Sequence, residues 1–271
     1  MAKRWKVFML LLGVLCVLEA QAMGQAPLSI YQATLMEPDP KTPEISTEEM
    51  QKILKNKTAT VFDARPFREF SVSHIAGAVN VSGKPGVAIS LYISDVAEIG
   101  RILKENKQAP IILYCNGPNC GKTKRLAEEL RTAGYTDIRR YQLGIPVWRA
   151  LVGVTVIEPE GVRYVLEKDR TAVFIDSREP EQFKAGSLPQ ARNLPASGVL
   201  PGKDVGEVKK AKDDGRLPME DHNTRIVVFG KDEPQARLVA EALAREAFQN
   251  VSYFAGTIEA LQAAVIPAES R

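Results

Sequence analysis

The sequence predicts an α/β protein made of two consecutive copies of one unit, each a mostly parallel sheet flanked by helices. Three observations support this fold class. Short apolar runs alternate with amphipathic helical stretches, the chain repeats itself at a separation near 113 positions, and its 271 residues suit about two domains. A period this long indicates two globular domains and excludes a solenoid.

Composition narrows the classes of function. Hydrophobic residues make up 45% of the chain and charged residues 25%, which is typical of a folded globular protein. The formal net charge is only +3, and no basic stretch is interleaved with aromatic residues, so we expect no nucleic-acid partner. Two histidines and three cysteines are too few for most multi-ligand metal sites, so we expect no metal. Separately, we expect that no other cofactor is required.

The first 22 residues have the order of a secretory signal peptide. Basic residues precede an apolar run of 12 residues, and a small-x-small triplet ends at Ala22. The run is shorter than the roughly 20 residues needed to span a bilayer, although a retained membrane anchor is the alternative. We expect cleavage after Ala22 or Ala26, export to the periplasm or the exterior, and no stable membrane insertion of the mature chain.

Cleavage would remove Cys16 and leave Cys115 and Cys120 in an oxidising compartment, where thiols tend to pair. Two cysteines five positions apart cannot form a framework of disulfides for the whole fold. They indicate local chemistry.

The domain organisation follows from the repeat. A Pro-rich linker is predicted over 23–44, a first domain over 45–152 and a second over 153–271. The residues that recur 113 positions apart are the pairs Asp63 and Asp176, Arg65 and Arg178, Phe70 and Phe183, and Asn80 and Asn193.

In the first unit, Ser46 and Glu49 have the spacing of a capping box at the start of an amphipathic helix. An apolar strand at 60–63, a short helix around 66–70 and a second apolar strand at 111–114 follow. A longer helix begins near Thr123 and is predicted to stop at Gly134. Short buried strands between helices favour a parallel sheet covered on both faces.

Cys115 follows the second apolar strand directly and opens a loop rich in Gly, Pro and Asn. In parallel sheets, ligands bind beyond the carboxyl ends of strands. Backbone amides there can converge on the Cys115 sulfur, and the helix start adds positive charge, which together lower a thiol pKa. The predicted cradle consists of Asn116, Gly117, Asn119, Cys120 and Gly121, with electrostatic support from Lys122 and Arg65. A buried, inert cysteine is the alternative.

Several segments together resemble the rhodanese family of sulfurtransferases. The segments are Asp63-Ala64-Arg65, His74 to Asn80, Tyr114-Cys115, and Tyr141-Gln142-Leu143-Gly144 with Trp148. The resemblance covers 45–152 strongly and 157–265 more weakly. It implies a thiosulfate sulfurtransferase type of enzyme, in which Cys115 takes a sulfane sulfur from a donor such as thiosulfate as a persulfide. The acceptor would be thiophilic, such as cyanide or a thiol.

Three departures from the family pattern stand out. Gly230 occupies the position of Cys115 in the second repeat, which predicts a catalytically inactive copy and reverses the order of familiar two-domain members. The loop is a residue or two longer than usual, which leaves substrate preference open. Cys120 lies inside the loop and is either a resolving thiol that attacks the persulfide and releases sulfide, or only an amide donor.

Asp63 and Arg65 recur in the copy without a cysteine, which indicates a structural ion pair or a loop-fixing hydrogen bond rather than substrate contact. Ser187 stands where the first repeat has His74. We interpret His74 as a side chain that fixes a turn rather than as a base.

The sequence is also compatible with other functions. The main alternative is a non-catalytic sulfur-binding or redox-sensing module in which Cys115 and Cys120 alternate between dithiol and disulfide. A weaker one is a Cys-based phosphatase or arsenate reductase, which would need an Arg where Gly121 stands. A scaffold with two silent repeats is a third. The physiological donor and acceptor and the oligomeric state are not readable from the sequence.

Overall fold

The computed structural model describes residues 41–84 and 94–265. The predicted signal peptide over 1–22 and the larger part of the predicted linker lie outside these residues. Within them, no helix is both long enough and apolar enough to cross a membrane.

The first unit is a sheet of four parallel strands in the order β2-β1-β3-β4, with helices around it. Its strands are β1 (Thr60–Asp63), β2 (Val79–Asn80), β3 (Ile111–Tyr114) and β4 (Ile138–Tyr141). Its helices are α1 (Thr47–Asn56), α2 (Phe67–Val72), α3 (Asp95–Ile102), α4 (Gly121–Thr132) and α5 (Gly144–Leu151). The side chain of Ser46 accepts a hydrogen bond from the Glu49 amide and so caps α1, which is one half of the predicted capping box; the Glu49 carboxylate accepts a hydrogen bond from Arg139.

The second unit is a sheet of five parallel strands in the order β5-β9-β8-β6-β7. Its strands are β5 (Thr155–Ile157), β6 (Val173–Asp176), β7 (Arg192–Asn193), β8 (Ile226–Phe229) and β9 (Val251–Phe254). Its helices are α6 (Pro159–Lys168), α7 (Pro180–Ala185), α8 (Gly206–Asp213), α9 (Glu233–Arg245) and α10 (Ile258–Val265). The α/β class and the duplication are therefore confirmed.

Each sheet separates two apolar clusters, one on either face. In the first unit, Val61 and Ile112 belong to one cluster, whereas Phe62 and Leu113 belong to the other. Alternate side chains of a strand point to opposite faces, so a strand buried on both sides must be apolar throughout. This requirement explains the short, continuous apolar runs in the sequence.

The last residues of the predicted linker lie beside β4. The Arg140 amide of β4 donates to the Pro43 carbonyl at 2.8 Å, and the Ile45 amide donates to the Arg140 carbonyl at 2.9 Å. Glu44 forms an isolated parallel bridge with Arg140 and occupies the place that β5 has in the second sheet. The buried Arg140 guanidinium is also paired with the Glu44 carboxylate at 3.0 Å, which holds this segment against the domain.

The two units share a hydrogen-bonded contact. His74 and Val156 form an antiparallel bridge at the edge of β5, with amide–carbonyl distances of 2.9 and 2.8 Å. Beside it, the Ser73 hydroxyl donates to the Thr155 hydroxyl at 2.8 Å. Residues of the first unit therefore cover a strand edge of the second, which would otherwise expose unpaired backbone groups.

Candidate active site

Cys115 lies at the carboxyl edge of the first sheet. Tyr114 pairs with Tyr141, so Cys115 and Gln142 are the first residues beyond neighbouring strands. The Cys115 side chain is buried, with 5% of the residue exposed. Strand order thus places one thiol and one amide side chain side by side.

Cys115 forms a disulfide with Cys120, and their Cα atoms are 6.3 Å apart. Cys120 is partly exposed, whereas Cys115 is buried. Both sulfurs belong to one loop of six residues between β3 and α4. The pair is therefore local, as the sequence predicts.

One member of the predicted amide cradle has another acceptor in this oxidised form. The Cys120 amide donates to the Gly117 carbonyl at 2.9 Å, because residues 117–120 form a turn. The other predicted donors, at residues 116, 117, 119 and 121, donate to no acceptor in the described part of the protein. Their role around a reduced Cys115 stays a prediction.

The Gln142 side chain holds the loop of residues 115–120 through hydrogen bonds, an arrangement that we call the clamp. Its Nε2 donates to the Pro118 carbonyl at 2.8 Å and to the Cys120 carbonyl at 3.1 Å. Its Oε1 accepts from the Thr123 hydroxyl at 3.0 Å and from Arg140 Nη1 at 2.7 Å. Since the side chain is buried and both ends are satisfied, the loop carbonyls have one fixed set of partners.

The clamp extends to the start of the domain. Arg140 holds Gln142 with one terminal nitrogen and Glu44 with the other, and burial lowers the pKa of Arg140 while Glu44 opposes that effect. The sequence alone predicts no role for Glu44, Arg140 or Gln142. The signal that could have found Gln142 is its position, because it directly follows β4 as Cys115 directly follows β3.

Gly144 allows α5 to approach the loop closely. Its φ is +64°, and a Cβ at this position would collide with the Cys115 carbonyl and lie 2.5 Å from the Gly117 nitrogen. The adjacent Ile145 amide donates to the Cys115 carbonyl at 3.1 Å. On the outer side of the loop, Asn116 Nδ2 donates to the Glu69 carboxylate of α2 at 2.6 Å.

The two cations predicted as electrostatic support have other partners. Lys122 Nζ lies 3.2 Å from the Asp95 carboxylate of α3. Arg65 Nε donates to Asp63 at 2.9 Å, and its Nη2 donates to the Ser73 carbonyl at 2.6 Å. Burial alone would lower the pKa of Arg65, but the hydrogen bonds and charge of Asp63 outweigh it and raise that pKa. Each of the two cations is thus paired with a carboxylate, and their action on Cys115 stays a prediction.

The second repeat, which has no cysteine, contains the same set of hydrogen bonds among an Asp, an Arg and an Asn, here called the Asp–Arg–Asn brace. Arg178 Nε donates to Asp176 at 3.0 Å, and Asn193 Nδ2 donates to the Asp176 and Arg178 carbonyls at 3.0 and 2.8 Å. Asn80 makes the equivalent bonds to the Asp63 and Arg65 carbonyls at 3.1 and 2.8 Å. The predicted ion pair is present in both copies, including the copy that has no cysteine.

His74 is enclosed between the units. Its Nδ1 lies 3.0 Å from the Phe70 carbonyl, its ring stacks on Phe70 at 3.9 Å, and its Nε2 lies 3.6 Å from the Glu158 carboxylate. Burial lowers the pKa of His74 to about 4, although the Phe70 carbonyl opposes the shift. At neutral pH the ring is therefore uncharged, and its predicted role in fixing the turn stays a prediction.

Gly230 takes the position of Cys115 in the second sheet, because Phe229 pairs with Asp176 as Tyr114 pairs with Asp63. Two side chains occupy the space beside Gly230. A Cβ on Gly230 would collide with the Ser177 hydroxyl and lie 2.7 Å from Gln235 Oε1.

A concave pocket of about 570 Å³ lies at the opposite end of the first sheet, where Thr60 begins β1 and Pro110 precedes β3. It therefore does not adjoin the loop of Cys115. In the described part of the chain, no cluster of three or more His, Cys, Asp or Glu side chains has the arrangement needed to hold a metal ion.

Comparison with known proteins agrees with this geometry. The sequence profile of the Rhodanese-like domain matches residues 46–151 and again 162–264. A mitochondrial protein of Schizosaccharomyces pombe named for thiosulfate sulfurtransferase activity is 24% identical over 90 residues, which are 33% of this chain and 62% of that protein.

Two solved structures are similar at low identity. A complex of an EanB variant with hercynine is 17% identical, with a TM-score of 0.35, and the match covers 86% of this chain and 63% of that one. The thiosulfate sulfurtransferase of Pseudomonas aeruginosa is 18% identical, with a TM-score of 0.34, over 80% of this chain and 41% of that one. The chain thus spans less than two thirds of the length of each of these relatives.

Proposed function

The chain belongs to the rhodanese-like domain family, and from this premise we propose that it is a sulfurtransferase of the thiosulfate sulfurtransferase type that carries sulfane sulfur on Cys115. The observation that supports this most is the position of Cys115 directly beyond β3, in a loop held by Gln142. Gly230 removes the thiol from the second copy, so the first repeat alone carries sulfur.

The proposed reaction has two steps. The Cys115 thiolate attacks the outer sulfur of thiosulfate, a sulfur–sulfur bond forms, and sulfite leaves with the electron pair of the broken bond. Cyanide or a thiolate then attacks the outer sulfur of the persulfide and returns Cys115 as a thiolate. Both steps need a stabilised anion at one point beside the loop.

The surroundings of Cys115 suit an anion of this kind. The loop leads into α4, whose 12 residues place the positive end of a helix dipole beside it. The first turn of α4 has no acidic residue. The amides at residues 116, 117, 119 and 121 have no acceptor in the described part of the protein, and we take them as the donors to a thiolate or a persulfide.

The disulfide must be reduced before the cycle can start. An external thiol reaches the partly exposed Cys120 more readily than the buried Cys115. Attack on the Cys120 sulfur expels Cys115 as the leaving thiolate. Reduction therefore releases the proposed nucleophile in its reactive form.

The test is the intact mass of the reduced protein after brief exposure to thiosulfate. We expect Cys120→Ser to gain one sulfur that cyanide removes, and Cys115→Ser to gain none. Absence of any sulfur on Cys120→Ser contradicts the proposal.

The disulfide itself favours a second candidate, a redox module without sulfur transfer. In that case Cys115 and Cys120 would interconvert between dithiol and disulfide and signal to a partner. The same mass measurement separates the two, because the module loses two hydrogens on oxidation and takes up no sulfur.

We also propose that the mature chain is exported, since residues 1–22 have the order of a signal peptide. Expression in a bacterial host followed by fractionation tests this. A mature N-terminus at residue 23 or 27 in the periplasm or medium is expected, whereas an uncleaved cytoplasmic chain would contradict it.

A further inference from the structure

The loop after β3 holds two sulfurs rather than one, and the second has no counterpart in the other repeat. We propose that Cys120 is a resolving thiol, which attacks the Cys115 persulfide and releases the carried sulfur as hydrosulfide. This rests on the proposed function, because it requires a persulfide on Cys115. It adds an activity, the reduction of sulfane sulfur to sulfide.

The first support is geometric. The two sulfurs are bonded while the loop keeps its internal turn and its contacts with the rest of the domain. The Cys120 amide still bonds to the Gly117 carbonyl, and Gln142 still bonds to the carbonyls of residues 118 and 120. Closure of the disulfide is therefore compatible with the folded loop.

The second support is the electrostatic position of Cys120. It is the N-cap residue of α4, and Lys122 and Lys124 lie in the first turn that follows. At the equivalent end of α9 the positive helix terminus is matched by acidic residues, with Asp232 as the cap and Glu233 after it. In the first repeat the sulfur of Cys120 takes the place of the acid, and helix N-termini favour the thiolate form of cysteine.

The step balances as an exchange between sulfurs. The Cys120 thiolate attacks Cys115 Sγ, the bond from Sγ to the outer sulfur breaks, and hydrosulfide leaves with that electron pair. A disulfide forms between the two cysteines. The leaving sulfur takes up the proton that Cys120 lost on ionising. Over loading and release together, the two cysteine sulfurs lose two electrons, and the sulfane sulfur gains them and becomes sulfide.

A second turnover requires two electrons from an external dithiol. One thiol of this reductant attacks the partly exposed Cys120, Cys115 leaves, and the second thiol of the reductant resolves the mixed disulfide. The reductant becomes a disulfide, so atoms and electrons balance. The partner that this chemistry requires is a dithiol reductant with access to the exposed edge of the loop.

A single-turnover experiment tests the proposal. The full chain is reduced, freed of reductant without air and mixed with thiosulfate, and hydrosulfide and free thiols are then measured. We expect about one hydrosulfide per chain and the loss of the Cys115 and Cys120 thiols in the wild type, with the Cys16 thiol retained wherever residue 16 is still present. Cys120→Ser is expected to release none and to retain a persulfide on Cys115, and Cys120→Ala serves as a second variant in case serine perturbs the loop.

The outcomes are distinguishable. A wild-type chain that keeps its persulfide and releases no hydrosulfide overturns the resolving role and leaves the proposed function intact. Equal hydrosulfide release from wild type and Cys120→Ser also overturns it. If Cys120→Ser takes up no sulfur, the proposed function fails and the resolving role fails with it.

Discussion

The loops that follow β3 and β8 begin at equivalent positions of the two sheets, but they differ in length, and only the loop after β3 contains cysteines. Six residues, 115–120, join β3 to α4, whereas three residues, 230–232, join β8 to α9. Around both loops the strand register and the Asp–Arg–Asn brace are the same. The comparison separates scaffold from function, because what both copies keep supports the fold and what only one copy has is available for chemistry.

The largest expected effect concerns the shared brace. Asp63→Asn and Asp176→Asn each leave a buried guanidinium without its charge partner, which costs about 3–5 kcal/mol when a buried pair is broken. We expect similar losses of unfolding free energy for both variants in urea titrations followed by circular dichroism. An Asp63→Asn chain of unchanged stability that has lost sulfur uptake would instead assign Asp63 to the substrate.

A second effect concerns His74, which Ser187 replaces in the second repeat. Folded His74 has a pKa of about 4 against 6.5 for the free residue, so the unfolded chain binds this proton first as the pH falls. The contribution of His74 to the free energy of unfolding is complete above pH 6.5 and declines by about 3 kcal/mol towards pH 4.

The groups facing His74 are the Glu158 carboxylate and the Asp63–Arg65 pair. Burial raises the pKa of Glu158, which gives a smaller slope of opposite sign above its ordinary 4.5. Thermal midpoints measured from pH 7 to pH 4 check the prediction. His74→Asn is expected to lower stability at pH 7 and to flatten the decline, and an unchanged decline would show that other groups cause it.

A third prediction concerns a variant that has a cysteine in the second repeat at the position of Cys115. Gly230→Cys forces a side chain against Ser177 and Gln235, so we expect a loss of about 2 kcal/mol and no sulfur on residue 230 after thiosulfate treatment. Gly230→Cys combined with Ser177→Ala should recover part of the stability. Loading of residue 230 in either variant would show that the longer loop is not required.

The smallest effect is expected at Lys122. Its pair with Asp95 is partly exposed, and such pairs contribute about 0.5 kcal/mol. In the Cys120→Ser background, Lys122→Gln should change the alkylation rate of Cys115 by about twofold or less. A tenfold slower rate would confirm Lys122 as electrostatic support for the thiol.

Sequence periodicity was sufficient for the fold because strands buried on both faces must be continuously apolar, and the duplication supplied the same pattern twice. It also located Cys115 and the Asp63–Arg65 pair, since a strand end and a recurring pair are visible in one dimension. The clamp of Gln142, Arg140 and Glu44 was not visible, because its members meet only through the pairing of β3 with β4. Lys122 was assigned by proximity in sequence, whereas its side chain reaches α3.

The measurement that tests the central claim most directly follows the sulfur itself. Thiosulfate labelled in its outer sulfur is added to the reduced Cys120→Ser chain, the protein is desalted, and cyanide is then added. The account predicts about one label per chain on the peptide that contains Cys115, transferred to thiocyanate by cyanide and absent from Cys115→Ser. Label that is absent from Cys120→Ser, or that persists in Cys115→Ser, would contradict it.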